Sequence, residues 1–167
     1  HHPQAAVTVR YVGVAASHRH GKGPSRRIAE ADLGGLRWVR YVHHPQAARW
    51  FVAQAVSGWA TCPLTENGLL RVLGHQAYPG GPGSPAGVLP LLQRLRLLPG
   101  HEFWEDRVSI ADRRLGLSLQ RVSARQLTDV YLLALAVDHG GRLATLDQRL
   151  DPTRVPGGPR ALVVVPL

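Results

Sequence analysis

Three carboxylates in this sequence have the spacing to act together: Glu66, Asp129 and Asp147. Each is predicted to lie in the first turn of a helix or at the end of a strand, on one edge of an α/β fold. Carboxylates gathered on one edge repel one another unless a cation lies between them. Mg²⁺ and Mn²⁺ both prefer oxygen ligands of this kind. The pattern therefore favours a divalent metal site.

The two aspartates are brought together by a predicted reversal of the chain. The run QLTDVYLLALAVDHGG, from Gln126, predicts an apolar helix with Asp129 in its first turn and Gly140 and Gly141 as its stop. The following RLATLD predicts a short buried strand that ends at Asp147. A helix packed on a parallel sheet runs antiparallel to the next strand, so the helix start and the strand end share an edge.

The stretch WATCPLTENGLLRVL repeats this arrangement upstream. It predicts a strand over 59–62, a tight turn at Pro63, and Thr65 as the N-cap of a helix with Glu66 in its first turn. Glu66 is then expected at the carboxyl end of its strand, where open α/β sheets bind ligands. Each acid also has a purely structural interpretation, as a favourable first-turn charge or, for Asp147, as a turn residue.

Further helices and strands complete the predicted fold. HHPQAARWFVAQAV has helical spacing, VLPLLQRLRLL predicts a helix over 88–98, and ALVVVPL predicts a closing strand. Strands that alternate with helices of this length indicate an α/β fold with a mainly parallel sheet covered on both faces. We interpret Trp104 as an apolar anchor, with a place in an RNA groove as the alternative.

The first forty residues differ from the rest of the chain. They contain the basic, Gly- and Pro-punctuated run SHRHGKGPSRR, which is typical of a loop or of disorder. A shifted reading frame is a second explanation for the abrupt change near Tyr41. We therefore divide the chain into an atypical basic segment, residues 1–40, and a folded domain, residues 41–167.

Composition narrows the class of protein. The 167 residues are 44% hydrophobic, which is enough for the core of a single domain. The net charge is +9 and Lys22 is the only lysine, so the positive charge is almost entirely guanidinium. Arginine matches phosphate oxygens, which favours a nucleic-acid partner over a membrane, although a codon bias that replaces Lys with Arg is an equal alternative. Cys62 is the only cysteine and no apolar run reaches a membrane span, so we expect a soluble cytoplasmic protein.

Several of these motifs together resemble a known family. CPLTENGLLRVL, HEFWEDRVSI, LTDVYLLALAVDHGGRLATLD and the HHPQAARWF helix are similar to the PIN-domain ribonucleases, specifically the VapC-like toxins of type II toxin–antitoxin systems. The match covers about His43 to Leu167. It implies a three-layer α/β/α sandwich, metal-dependent cleavage of RNA, a homodimer, and a cognate antitoxin that blocks the site.

The resemblance also assigns roles to residues. The second, third and last acids of the family correspond to Glu66, Asp129 and Asp147, which would be catalytic and hold Mg²⁺ or Mn²⁺. Thr128 resembles a polar residue that lines such sites. Independently of the resemblance, Arg71 and Arg125 are expected near the rim, where they could bind RNA phosphates or, alternatively, form part of a solvated basic surface.

One part of the family pattern is missing. Its opening motif, of the kind LLDxNxLI, does not occur in LGGLRWVRY, and Asp32 is the nearest upstream acid that could replace the first ligand. Two alternatives to an active ribonuclease therefore remain open. One is a catalytically impaired PIN relative that lacks the first acid, and the other is a non-enzymatic, basic RNA-binding module.

Overall fold

The computed structural model describes residues 45–55, 58–78 and 80–166, so Asp32 and the whole basic segment lie outside the described residues. Parallel strands alternate with helices along the chain, as the sequence predicted. In order, the elements are α1 (Pro45–Ala55), β1 (Trp59–Thr61), α2 (Pro63–Leu73), α3 (Pro85–Arg96), β2 (His101–Phe103), a 3₁₀ turn (Arg113–Leu115), α4 (Leu127–Asp138), β3 (Leu143–Thr145), a 3₁₀ turn (Pro152–Arg154), α5 (Gly158–Ala161) and β4 (Leu162–Val164).

The strands pair in parallel. β1 pairs with β2, with Trp59 opposite His101, and β3 pairs with β4, with Leu143 opposite Leu162. Within the described residues these pairs are two separate two-stranded sheets. The α/β class with parallel pairing is confirmed, whereas the three-layer sandwich stays a prediction.

Alternate residues of β1 point into different parts of the core. Trp59 packs in a cluster with side chains of α2 and α3, whereas Ala60 packs in a second cluster with the apolar residues of α4. Successive side chains of a strand point to opposite faces. Because each face of β1 packs in one of these two clusters, the strand is buried along its whole length. Thr61, the last residue of β1, and Glu66, in the first turn of α2, are therefore next to a fully buried strand.

The boundaries of α3 differ from the prediction. The helix begins at Pro85, three residues before the predicted start, because the side chain of Ser84 accepts a hydrogen bond from the backbone N–H of Gly87 at 3.2 Å. A serine N-cap followed by proline at the first helical position is a strong start signal. Pro90 lies inside the helix, as expected. No helix among residues 45–55, 58–78 and 80–166 is long and apolar enough to cross a membrane.

Trp104 lies against the end of α4, where it is an apolar anchor. Only 6% of the residue is exposed, and its ring stacks on the His139 ring with centroids 4.6 Å apart and planes 2° apart. Gly141 lies directly beneath the indole, since a Cβ at this position would be 2.4 Å from Cη2 of Trp104. The two glycines that stop α4 thus differ: Gly140 has a φ of +65°, and Gly141 leaves space for the tryptophan.

We expect Gly141→Ala to lower the free energy of unfolding by about 1–3 kcal/mol, the usual cost of overpacking a core. In a Trp104→Leu background the same change should cost less, because the crowding atoms are gone. Urea denaturation of the four proteins measures this coupling. An equal cost in both backgrounds would show that the tryptophan contact is not the reason for the glycine.

Candidate active site

The junction of β1 and α2 positions Glu66. The helix begins at Pro63 with Cys62 as its N-cap. The hydroxyl of Thr65 accepts a hydrogen bond from the N–H of Cys62 at 2.9 Å and donates one to its carbonyl oxygen at 3.0 Å. The predicted N-cap at Thr65 was wrong by three residues, because Pro63 has the fixed φ that suits the first helical position. Glu66 nevertheless lies in the first turn, as predicted.

Cys62 is a structural residue. It is 3% exposed, and burial raises the pKa of its thiol above the ordinary value. A raised pKa disfavours the thiolate, which is the reactive form of cysteine. Both the burial and the raised pKa agree with a structural role for Cys62.

The Glu66 carboxylate has two partners. The hydroxyl of Thr61 donates to Oε1 at 2.6 Å, and Nε of Arg96 lies 3.6 Å from the same oxygen. The glutamate side chain is 14% exposed, whereas that of Arg96 is 44% exposed. An ion pair of this length with a partly exposed arginine adds little stability, so the Thr61 hydrogen bond is the better-defined contact.

His101 extends this group of polar side chains. Its Nε2 lies 2.8 Å from Oγ1 of Thr61, and its ring packs edge-on against Trp59 with centroids 4.6 Å apart. Burial lowers the pKa of His101, and the nearby Arg96 lowers it further, although Glu66 and Glu102 oppose the shift. The fold therefore favours the neutral imidazole beside Thr61.

The two predicted aspartate ligands are also buried. Asp129 is 4% exposed in the first turn of α4, where the helix dipole favours a negative charge. Asp147 is 9% exposed and lies two residues beyond the end of β3. Its Oδ1 accepts a hydrogen bond from the N–H of Arg149 at 3.0 Å. This is the contact expected of a turn aspartate, which was the structural interpretation of Asp147.

The donor chemistry suits a hard divalent cation, because the candidates supply carboxylate oxygens. Among the residues that the structure describes, however, no three His, Cys, Asp or Glu side chains form a group that could hold one metal ion. The assignment of Glu66, Asp129 and Asp147 as ligands therefore stays a prediction. Asp32, the fourth candidate, lies outside the described residues.

The predicted RNA-contacting residues lie near these acids in sequence. Arg71 is exposed in the last turn of α2, Arg125 is exposed two residues before α4, and Thr128 is half-buried in the first turn of α4. The sequence analysis missed Thr61, His101 and Arg96. A polar residue in the otherwise apolar strand WAT was the one local signal, whereas nothing near His101 or Arg96 in sequence indicates Glu66.

A loop connects the β1–β2 pair to α4. Nε of Arg107 donates to Oδ2 of Asp138 at 2.6 Å, and the Asp106 carboxylate acts electrostatically on the Tyr131 hydroxyl. Together with the stacking of Trp104 on His139, these interactions run along α4. The loop thereby links the β1–β2 pair to α4, the helix that carries Asp129.

Comparison with curated proteins gives close relatives from Mycobacterium tuberculosis. The chain is 44% identical to Ribonuclease VapC44 over 117 residues, which is 70% of this chain and 82% of that protein. It is 42% identical to Ribonuclease VapC38 over 69% of this chain and 79% of that one, and 37% identical to Ribonuclease VapC39 over 71% and 85%. The chain belongs to the VapC ribonuclease family. The resemblance to VapC-like PIN-domain toxins is thus confirmed.

The other two comparisons add nothing to this assignment. No protein-family model matches the chain, and no solved structure matches it. The family assignment therefore depends on the similarity to the mycobacterial ribonucleases, which covers 70% of this chain for VapC44.

Tyr131 should titrate late. Burial, followed by the neighbouring Asp106 carboxylate, raises the pKa of the Tyr131 phenol from 10.0 to about 12. The folded state therefore retains the proton longer than the unfolded state, and this contribution to stability is lost as the pH rises from about 10 to about 12. Absorbance of tyrosinate against pH should show one delayed step that Tyr131→Phe removes and Asp106→Asn shifts only in part. If the delayed step survives in Tyr131→Phe, the assignment is wrong.

Proposed function

We propose that this chain is a Mg²⁺- or Mn²⁺-dependent endoribonuclease that hydrolyses RNA phosphodiester bonds as the toxin of a toxin–antitoxin pair. The observation that carries the proposal is the 44% identity to Ribonuclease VapC44 over 70% of the chain. The buried carboxylates on α2, on α4 and after β3 agree with it, since they provide the donors that such an enzyme needs.

Glu66, Asp129 and Asp147 are the residues that would hold the cation. When bound, a divalent ion neutralises charge on the phosphate and makes water a better nucleophile. Glu66 and Asp129 lie in the first turns of α2 and α4, where the helix N-terminus stabilises negative charge. A further ligand from upstream, with Asp32 as the candidate, is part of the proposal.

The chain's own positive side chains orient the RNA. We assign Arg71 and Arg125, which are both exposed, to the binding of RNA phosphates, and Thr128 to a hydroxyl contact. The excess of Arg and Lys over acids gives a net charge of +9, which attracts a polyanion from a distance.

The proposal extends to partners, architecture and location. We place the chain in the cytoplasm as a homodimer with a three-layer α/β/α sandwich, held inactive by a cognate antitoxin. A peptide that covers the acids would suppress cleavage by excluding both cation and RNA. Co-expression with an antitoxin from the same operon, followed by size-exclusion chromatography, would test the pairing.

Asp129→Asn should reduce cleavage of a mixed-sequence RNA by more than about 100-fold, since the loss of a direct ligand exceeds the 10–100-fold cost of outer contacts. It should also weaken Mn²⁺ binding measured by electron paramagnetic resonance. Asp138→Asn is the matched control, because it makes the same change in the same helix at a residue that binds Arg107.

Three outcomes separate the alternatives. Metal-dependent cleavage that Asp129→Asn abolishes supports the ribonuclease. Antitoxin binding without cleavage by the wild-type chain indicates the impaired relative. RNA affinity that depends on salt but not on metal, without cleavage, indicates the binding module.

Arg125→Ala should weaken RNA binding and reduce the slope of log affinity against log salt by about 1, the change expected for one lost phosphate contact. Fluorescence anisotropy with a short labelled RNA, at several salt concentrations and with Asp129→Asn to prevent cleavage, measures the slope. Arg160→Ala removes another exposed arginine, on α5, and should leave the slope unchanged. Equal effects of the two substitutions would contradict a specific role for Arg125.

A further inference from the structure

The direction of the hydrogen bonds around Glu66 is determined by the chemistry of threonine. A hydroxyl has one hydrogen to donate, and that of Thr61 goes to Oε1 of Glu66 at 2.6 Å. The oxygen of Thr61 can then only accept from Nε2 of His101, at 2.8 Å. His101 must therefore carry its proton on Nε2, and the donors run from His101 through Thr61 to Glu66.

His101, the first donor in this series of hydrogen bonds, packs against the core. The His101 ring contacts Trp59, which is 1% exposed and packs edge-on against Phe51 with centroids 5.1 Å apart. Thr61 itself is 6% exposed in β1. Thr61 is buried and the half-buried His101 ring lies against Trp59, so these contacts favour one orientation of the hydroxyl toward the carboxylate.

The contacts leave one carboxylate oxygen of Glu66 for another ligand. Both Thr61 and Arg96 approach Oε1. Within the described part of the chain, no hydrogen bond to Oε2 is present. A carboxylate held through one oxygen presents the other in a defined direction, which is how outer contacts orient the ligands of a metal.

We propose that Thr61 and His101 are positioning residues that orient Glu66 so that its Oε2 faces the bound divalent cation. This inference rests on the proposed function, because it requires Glu66 to be a ligand. Neither residue contacts the cation or the RNA in this role. Arg96 contributes charge near the same carboxylate but, being half-exposed, does not set its orientation.

The test is a double-mutant cycle between Thr61 and Glu66. Thr61→Val keeps the shape of the side chain and removes the hydroxyl, and Thr61→Ser keeps the hydroxyl. We measure the Kd for Mn²⁺ by electron paramagnetic resonance without RNA, in the wild-type protein, in Glu66→Gln, and in each combination. The melting temperature of the metal-free proteins reports separately on stability.

Thr61→Val should weaken Mn²⁺ binding by about 10- to 100-fold, as is typical when an outer contact of a metal ligand is lost. Thr61→Ser should restore most of the affinity. In the Glu66→Gln background, Thr61→Val should cause no further loss, because the group through which it acts is gone. Thr153→Val, in the exposed 3₁₀ turn, is the control for an unrelated Thr-to-Val change.

His101 offers a second route if Thr61→Val fails to fold. His101→Phe keeps a ring against Trp59 and removes the donor, so it should weaken Mn²⁺ binding in the same direction and lose its effect in Glu66→Gln. In the metal-free wild-type protein, ¹⁵N chemical shifts should show the neutral His101 ring protonated on Nε2.

Three results would overturn the inference and remain distinguishable. If Glu66→Gln weakens Mn²⁺ binding but Thr61→Val and His101→Phe do not, the positioning role is wrong and the proposed function stands. A loss that is equal in both backgrounds and follows the melting temperature means that Thr61 is only structural. If Glu66→Gln itself leaves Mn²⁺ binding unchanged, the ligand role of Glu66 fails, and the positioning role fails with it.

Discussion

Negative charge held in buried positions is the constraint on which the rest of this structure depends. Asp129 and Asp147 are each less than a tenth exposed, and the Glu66 side chain is 14% exposed. A carboxylate in such surroundings is costly unless donors or cations compensate for it. The first turns of α2 and α4 and the turn after β3 provide this compensation through backbone dipoles and N–H groups. These three groups supply carboxylate oxygens, the donors that the proposed divalent cation would need.

The compensation around Glu66 combines a local contact with distant ones. Thr61 precedes Glu66 by five residues, and the turn through Cys62 and Pro63 brings the hydroxyl to the carboxylate. His101 lies forty residues from Thr61 and reaches it only because β1 pairs with β2 in the register that sets Trp59 opposite His101. The side chains of Trp104 and Arg107, which follow β2, contact the end of α4. The core packing and the polar contacts thus support the same arrangement.

Membership of the VapC ribonuclease family connects this arrangement of residues with a function. In the proposed function the acids at 66, 129 and 147 are the metal ligands, and the structure describes the surroundings of all three. The family's opening motif has no counterpart in LGGLRWVRY, and Asp32 lies outside the described residues. Completeness of the ligand set therefore depends on the part of the chain before Pro45, whereas the fold around the other acids depends on the part after it.

The sequence by itself determined those features that depend on neighbouring residues. Glu66 and Asp129 were correctly placed in first helical turns, α4 ends at the predicted glycines, and β3 lies just before Asp147, because periodicity and capping signals act over a few positions. The start of α2 was misplaced at Thr65 since proline at the first helical position outweighed a good capping residue. Only the tertiary structure decided that Trp104 covers Gly141 and that Thr61, His101 and Arg96 surround Glu66. Apart from the contact between Thr61 and Glu66, which are five positions apart, these contacts join residues thirty or more positions apart. Strand register and helix packing, which no short stretch of sequence encodes, bring them together.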